Sequence, residues 1–135
     1  MGIPLSTRVA MRFEDVVART REALAQQGFG VLTEINITAT LKAKLGADIE
    51  DYLILGACNP ELAYRALSVD REIGLLLPCN VVLRADPDDA GTVIIEAMDP
   101  GVLVEVTGEP ALMAIADEVT AKLGAAIASL VPSYG

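Results

Sequence analysis

Tyr52-Leu-Ile-Leu-Gly-Ala-Cys58, followed at once by Asn59-Pro60-Glu61, sets the pattern for the chain. The first seven residues are continuously apolar or small, which reads as a strand covered on both faces. Asn59 suits an N-cap, Pro60 the first helical position, and Glu61 the positive end of a helix dipole. Leu62, Ala63, Ala66 and Leu67 then recur at helical spacing and give that helix a buried stripe. A strand turning directly into a helix is therefore the central unit.

Upstream of this unit, residues 3–11 alternate, with Ile3, Leu5, Thr7, Val9 and Met11 on one face and Ser6, Arg8 and Ala10 on the other. That is a half-buried strand. Residues 13–27 change period: Phe13, Val16, Val17, Thr20, Leu24 and Gln27 form a helical stripe, with Glu14 and Asp15 in the first turn and Gly28 at the exit. Residues 29–38 alternate again, placing Phe29, Val31, Thr33, Ile35 and Ile37 on one face and Leu32, Glu34, Asn36 and Thr38 on the other. Thr40 is expected to cap one short turn, Leu41 to Leu45, closed by Gly46.

Downstream, residues 73–77, 79–84, 92–98 and 102–107 read as strands, punctuated by Pro78 and by Asp86-Pro87-Asp88-Asp89. Leu112, Ile115, Ala116, Val119, Leu123, Ala126, Ile127 and Leu130 form a closing helix, with Pro110 near its start. Clustered strands between terminal helices predict an α+β fold: an antiparallel-rich sheet with two long helices on one face. A doubly wound parallel sheet is the alternative, disfavoured because helices do not separate most strands.

A chain of 135 residues fits one domain, residues 1–135. At 14.2 kDa it should expose roughly 6,800 Å² folded against roughly 20,600 Å² unfolded, enough burial for a core without staples. Ten basic and nineteen acidic residues leave a net charge of −9, and the basic residues are scattered. Nucleic acid needs a basic stripe to neutralise phosphates, so none is expected as a partner, and an anionic membrane is disfavoured for the same reason. No run approaches the roughly 18 apolar residues of a membrane span. Residues 1–20 lack a long apolar core and carry Arg8, Arg12 and Arg19, which predicts no secretory signal. Two cysteines without such a signal suggest free thiols in a reducing, cytoplasmic compartment. Histidine is absent, which removes Ser-His-Asp and Cys-His catalysis together with histidine metal ligands.

The most unusual feature is a pair of Cys-Asn dipeptides, Cys58-Asn59 and Cys79-Asn80. Cys58 precedes a helix start, where partial positive charge would stabilise a thiolate and lower its pKa. If neighbouring strands bring Cys79 close, the thiols could face one another. Two thiolates without histidine would suit a soft monovalent metal better than zinc, but no motif names a metal or a cofactor. The plainer reading makes both small buried hydrophobes, with Asn59 and Asn80 bonding backbone. Lys42 and Lys44 offer a second candidate: a lysine with adjacent backbone N–H groups could hold a carboxylate or phosphate, helped by Arg65 or Arg84. The plainer reading there is a solvated turn balanced by Asp48, Glu50 and Asp51. Glu34 shares the polar side of its strand with Asn36, and no second acid is fixed nearby.

Tyr52–Leu67 and Ile73-Gly-Leu-Leu-Leu-Pro-Cys-Asn-Val-Val-Leu-Arg84, with Gly28–Ile35 and Leu41–Gly46 upstream, resemble the domain-of-unknown-function 302 family over nearly the whole chain. The Gly-Ala-Cys-Asn-Pro and Leu-Leu-Pro-Cys-Asn-Val strings are the most specific part of the likeness. The resemblance implies a compact α+β domain similar to the TATA-binding-protein fold, built in the order β-α-β(n)-α. It implies no firm activity. Tyr64 stands where some relatives are expected to have histidine, which weakens any mechanism needing imidazole there.

The leading expectation is a non-enzymatic, homodimeric binding or accessory domain in the cytoplasm, with a small-molecule ligand as a possible partner. Residues 53–58, 75–77, 81–83 and 93–95 are apolar on both faces, and two long helices would cover only one face of the sheet. The alternative is a cysteine-dependent enzyme or thiol-metal protein using Cys58 and Cys79. A small-anion pocket at Lys42 and Lys44 is the third reading.

Overall fold

The computed structural model describes residues 5–131. Ile3, the first residue of the alternating face at the amino terminus, lies outside that range. Five strands form one sheet in the order β1-β5-β4-β3-β2: β1 (Leu5–Val9), β2 (Gly30–Asn36), β3 (Tyr52–Cys58), β4 (Cys79–Ala85) and β5 (Val93–Ala97). All four pairings are antiparallel, so the parallel alternative is excluded. The helices are α1 (Phe13–Gln26), α2 (Ile37–Leu45), α3 (Pro60–Val69), α4 (Val102–Thr107) and α5 (Met113–Ala128), with 3₁₀ turns at Arg71–Leu76 and Pro110–Leu112.

The core is one cluster. Val9, Leu53, Leu55, Ala57, Cys79, Val81, Leu83, Val93, Ile95 and Ala97 come from one sheet face. Val16 and Leu24 of α1, Leu62 and Ala66 of α3, Leu103 of α4, and Ile115, Val119 and Leu123 of α5 meet them. Four helices therefore cover one face. The fifth, α2, packs on β3 and buries none of its residues. Thr38 ties its start to β3 by donating to the Glu50 carbonyl at 2.7 Å and accepting from the Tyr52 amide at 2.8 Å.

Three segments depart from the sequence reading. Residues 73–77 are not a strand but the end of a 3₁₀ turn and its exit: the Asp70 side chain accepts from the Glu72 amide at 2.9 Å, and the Asp70 carbonyl accepts from the Ile73 amide at 3.2 Å. Residues 102–107 form α4 despite their three valines. The Asp99 carboxylate accepts from the Gly101 amide at 2.9 Å to start the turn, and Gly108, at φ 69°, stops it. Local capping outweighs β-propensity in a segment this short. The helix after β2 is also longer than one turn, because Asn36, not Thr40, is its N-cap, with Oδ1 accepting from the Ala39 amide at 2.9 Å. Its expected stop at Gly46 is present, at φ 67°.

The faces of β2 are not those of a simple alternation either. The register slips between Val31 and Thr33, so Val31 pairs with Ala57 on the helix side while Thr33 and Ile35 pair with Gly56 and Ile54 on the other. A bulge of one residue reverses the sense of every side chain beyond it. Leu32, the extra residue, is 67% exposed.

Candidate functional site

Cys58, Asn59 and Cys79 gather at one end of the sheet. Cys58 is the last residue of β3, Cys79 the first of β4, and the register sets Cys79 opposite Ala57. Asn59 caps α3, its Oδ1 accepting from the Leu62 amide at 3.3 Å while its Nδ2 donates to the Gln27 carbonyl at 3.4 Å. That second bond ties the start of α3 to the exit of α1. Gly28, at φ 85°, completes the fit, because a Cβ there would lie 3.0 Å from Asn59 Nδ2.

Phe29, Cys58, Leu62, Leu77, Cys79 and Leu103 border a cavity of about 20 Å³ beside this corner. That is the room of about one water molecule, and a water needs several polar partners that an apolar lining does not give. An organic ligand does not fit without movement of the walls. Strand alternation also separates the thiols. Cys79 shares the helix-side face of its partner Ala57, whereas Cys58 follows Ala57 by one residue and falls in step with Tyr52, Ile54 and Gly56.

The electrostatics of the corner oppose an activated thiolate. Burial pushes the Cys79 thiol up to about 11, with the nearby Cys58 adding to the rise. Burial also raises Cys58, contrary to the expected acidification by the helix start. Desolvation is the cause, and the helix start does little to offset it. Pro60 occupies the first helical position and has no N–H, and the Leu62 amide is already bonded to Asn59. Two of the first-turn donors that would hold a thiolate are therefore missing or occupied.

The other proposed residues lie elsewhere. Lys42 and Lys44 occupy the last turn of α2, the negative end of its dipole, where carbonyls and not amides project. This removes the backbone N–H groups that the anion-site reading required. Lys42 Nζ pairs with Asp48 at 2.9 Å, and Arg65 Nη1 pairs with Glu118 at 2.7 Å. Helix α2 feeds the start of β3 while Cys58 ends it, so the lysines and cysteines sit at opposite ends of a strand about 20 Å long. Glu34 pairs with Arg21 of α1 at 3.1 Å. Asn80 is exposed, and pairs with Gly56 on the sheet face away from the helices.

That uncovered face holds the arrangement the sequence reading did not resolve. The register lays it out in rows. Tyr52, Arg84, Ile94 and Arg8 form one row across β3, β4, β5 and β1. Ile35, Ile54, Val82, Glu96 and Ser6 form the next, across all five strands. Thr33, Gly56 and Asn80 form a third. Four aliphatic residues and a tyrosine thus make a band, with an arginine and a glutamate set into it. Arg84 Nε donates to Glu96 Oε1 at 2.7 Å, and both side chains are about one-third exposed or less. Arg8 pairs with Asp86 at the rim. Ile94 is 7% exposed yet is not part of the helix-side core. The individual signals were present as the apolar runs of β3, β4 and β5; the diagonal Arg84–Glu96 pairing needed the register.

Comparison with known proteins places the chain in a defined setting. The family model described as "Domain of unknown function DUF302" matches residues 5–130. A crystal structure of an uncharacterized conserved DUF302 protein from Bacillus stearothermophilus is similar at 32% identity, with a TM-score of 0.85 over 95% of this chain and 98% of that one. No curated protein matches the chain.

Proposed function

This chain belongs to the domain-of-unknown-function 302 family, and we propose that it acts as a non-enzymatic, homodimeric binding or accessory domain. The observation that carries the reading is the asymmetry of the sheet. Four helices bury the core of one face, while the other presents Tyr52, Ile54, Val82 and Ile35, none of which belongs to that core. Twofold self-association is the commonest way to cover such a face. The raised thiols and the one-water cavity at Cys58 and Cys79 favour packing over thiol chemistry in the same reading.

Light scattering on dilute protein tests it. The expected mass is twice 14.2 kDa, and a mass of 14.2 kDa throughout the micromolar range overturns the homodimer. No helix is long and apolar enough to cross a membrane among the described residues, and we place the domain in the cytoplasm on its free thiols.

A further inference from the structure

Resting on the homodimer reading, we propose that the uncovered sheet face is itself the contact with a second copy of this chain, and that the Arg84–Glu96 pair sits at its twofold axis. Three features of the face lead there. None of the four core helices α1, α3, α4 and α5 packs on it, and its apolar row runs from Ile35 on β2 through Ile54 on β3 to Val82 on β4, with Glu96 next in the row and Ile94 diagonal to Val82. Its central charges come as one cation beside one anion: Val82 pairs with Glu96 and Arg84 with Ile94, so Arg84 and Glu96 are diagonal neighbours on adjacent strands.

The third feature is what that pairing does under symmetry. A surface carrying a single sign of charge repels its own copy. A plus–minus pair placed side by side is complementary to itself when rotated by half a turn, because each guanidinium meets the other protomer's carboxylate. The chain as a whole carries a charge of −9, so two copies approach against net repulsion. A locally neutral, self-complementary centre is a place where that repulsion is cancelled. Both residues keep their own intramolecular partner in the dimer and gain a second, giving a closed square of four alternating charges.

The band also explains why other apolar surface is a poorer candidate. Leu75 and Val106 are 86% and 64% exposed, but they lie on the 3₁₀ turn and α4 and not on the sheet. The β2 edge is distorted by its bulge, a device that discourages strand-to-strand addition.

The test is a charge reversal that leaves the protomer intact. The double variant Arg84→Glu/Glu96→Arg keeps an ion pair on the same two strands, so its fold is expected to match wild type by circular dichroism. It should form homodimers of its own. Mixed with wild type, it should fail to exchange, because each heterodimer would set arginine against arginine and glutamate against glutamate. Native mass spectrometry of an equimolar, mass-labelled mixture should show heterodimer about tenfold below its statistical share of one half. The single variants Arg84→Glu and Glu96→Arg should each be monomeric alone and form a heterodimer when combined. Free exchange between wild type and the double variant, with both single variants still dimeric, overturns the inference and leaves the homodimer standing on another surface. A monomeric wild type overturns both.

Discussion

Thr33 Oγ1 covers Gly56 so closely that a Cβ built on the glycine would lie 2.1 Å from it, and 2.8 Å from Pro78 Cγ. The contact links the bulge of β2 to the middle of β3. The bulge turns Thr33 onto the uncovered face, and Gly56 leaves the gap that receives it. Gly56→Ala should therefore destabilise the fold by about 1–3 kcal/mol, the usual cost of overpacking. The double variant Gly56→Ala/Thr33→Ala should recover only part of this, since the Pro78 contact remains. Urea denaturation measures both; a neutral Gly56→Ala contradicts the account of the bulge.

Asn59 joins two helices as well as capping one. Asn59→Ala should cost about 1 kcal/mol for the lost cap of α3. Asn59→Asp keeps the accepting oxygen but loses the amide donor to the Gln27 carbonyl. It should fall between wild type and alanine in the same denaturation series. Equal losses for both variants would mean that the bond to Gln27, and not the cap, is what matters.

The thiols make a pH prediction. Cys79 has an ordinary value of 9.0 and is raised to about 11 in the fold. An acid whose folded pKa is raised is favoured in its neutral form. Its stabilisation is fully present below 9.0 and is lost as pH rises towards 11, where the folded thiol ionises too. Two units correspond to about 2–3 kcal/mol over that window. Cys79→Ala should flatten this part of the stability curve. Native alkylation should modify half-buried Cys58 before buried Cys79, with Cys58 slower than a free thiol at neutral pH because burial raises it too. Equal rates for the two would contradict the burial seen here.

Acid should act at the opposite rim. Asp86 is held below its ordinary 3.8, first by the Asp88 backbone amide and then by the Arg8 guanidinium. A depressed carboxyl contributes stability above 3.8 that is lost as pH falls through its folded value. The melting temperature of Asp86→Asn should lie below wild type at neutral pH and converge with it in strong acid. A constant gap across that range contradicts the assignment.

Much of this was legible in the sequence, for reasons that differ by element. Strand β3 and the start of α3 were readable because an apolar run met Asn59-Pro60-Glu61, three residues with the same local preference. Helix α5 was readable from its periodicity alone. The stretch at 102–107 misled because Val102, Val104 and Val106 alternate as a strand does, while the deciding chemistry lay outside it, at Asp99 and Gly108. The bulge in β2 has no compositional signature; it depends on Gly56, twenty-three residues beyond Thr33, accepting a side chain. For the candidate site, the sequence brought Cys58 and Cys79 together only on the condition that their strands are neighbours, as β3 and β4 are. Their pKa directions were not readable, because desolvation by Phe29, Leu62 and Leu103 is a tertiary effect.

Two tyrosines permit a direct test of the central claim on the unmodified protein. Tyr52 lies half-buried on the uncovered face, and Tyr64 is 74% exposed on α3, on the opposite side of the sheet. Hydroxyl-radical footprinting at dilute and concentrated protein, read by mass spectrometry, compares them in one sample. Oxidation of Tyr52 should fall as concentration rises while that of Tyr64 stays constant. A Tyr52 signal that does not change with concentration, in protein shown to be dimeric, would contradict the assignment of this face as the contact.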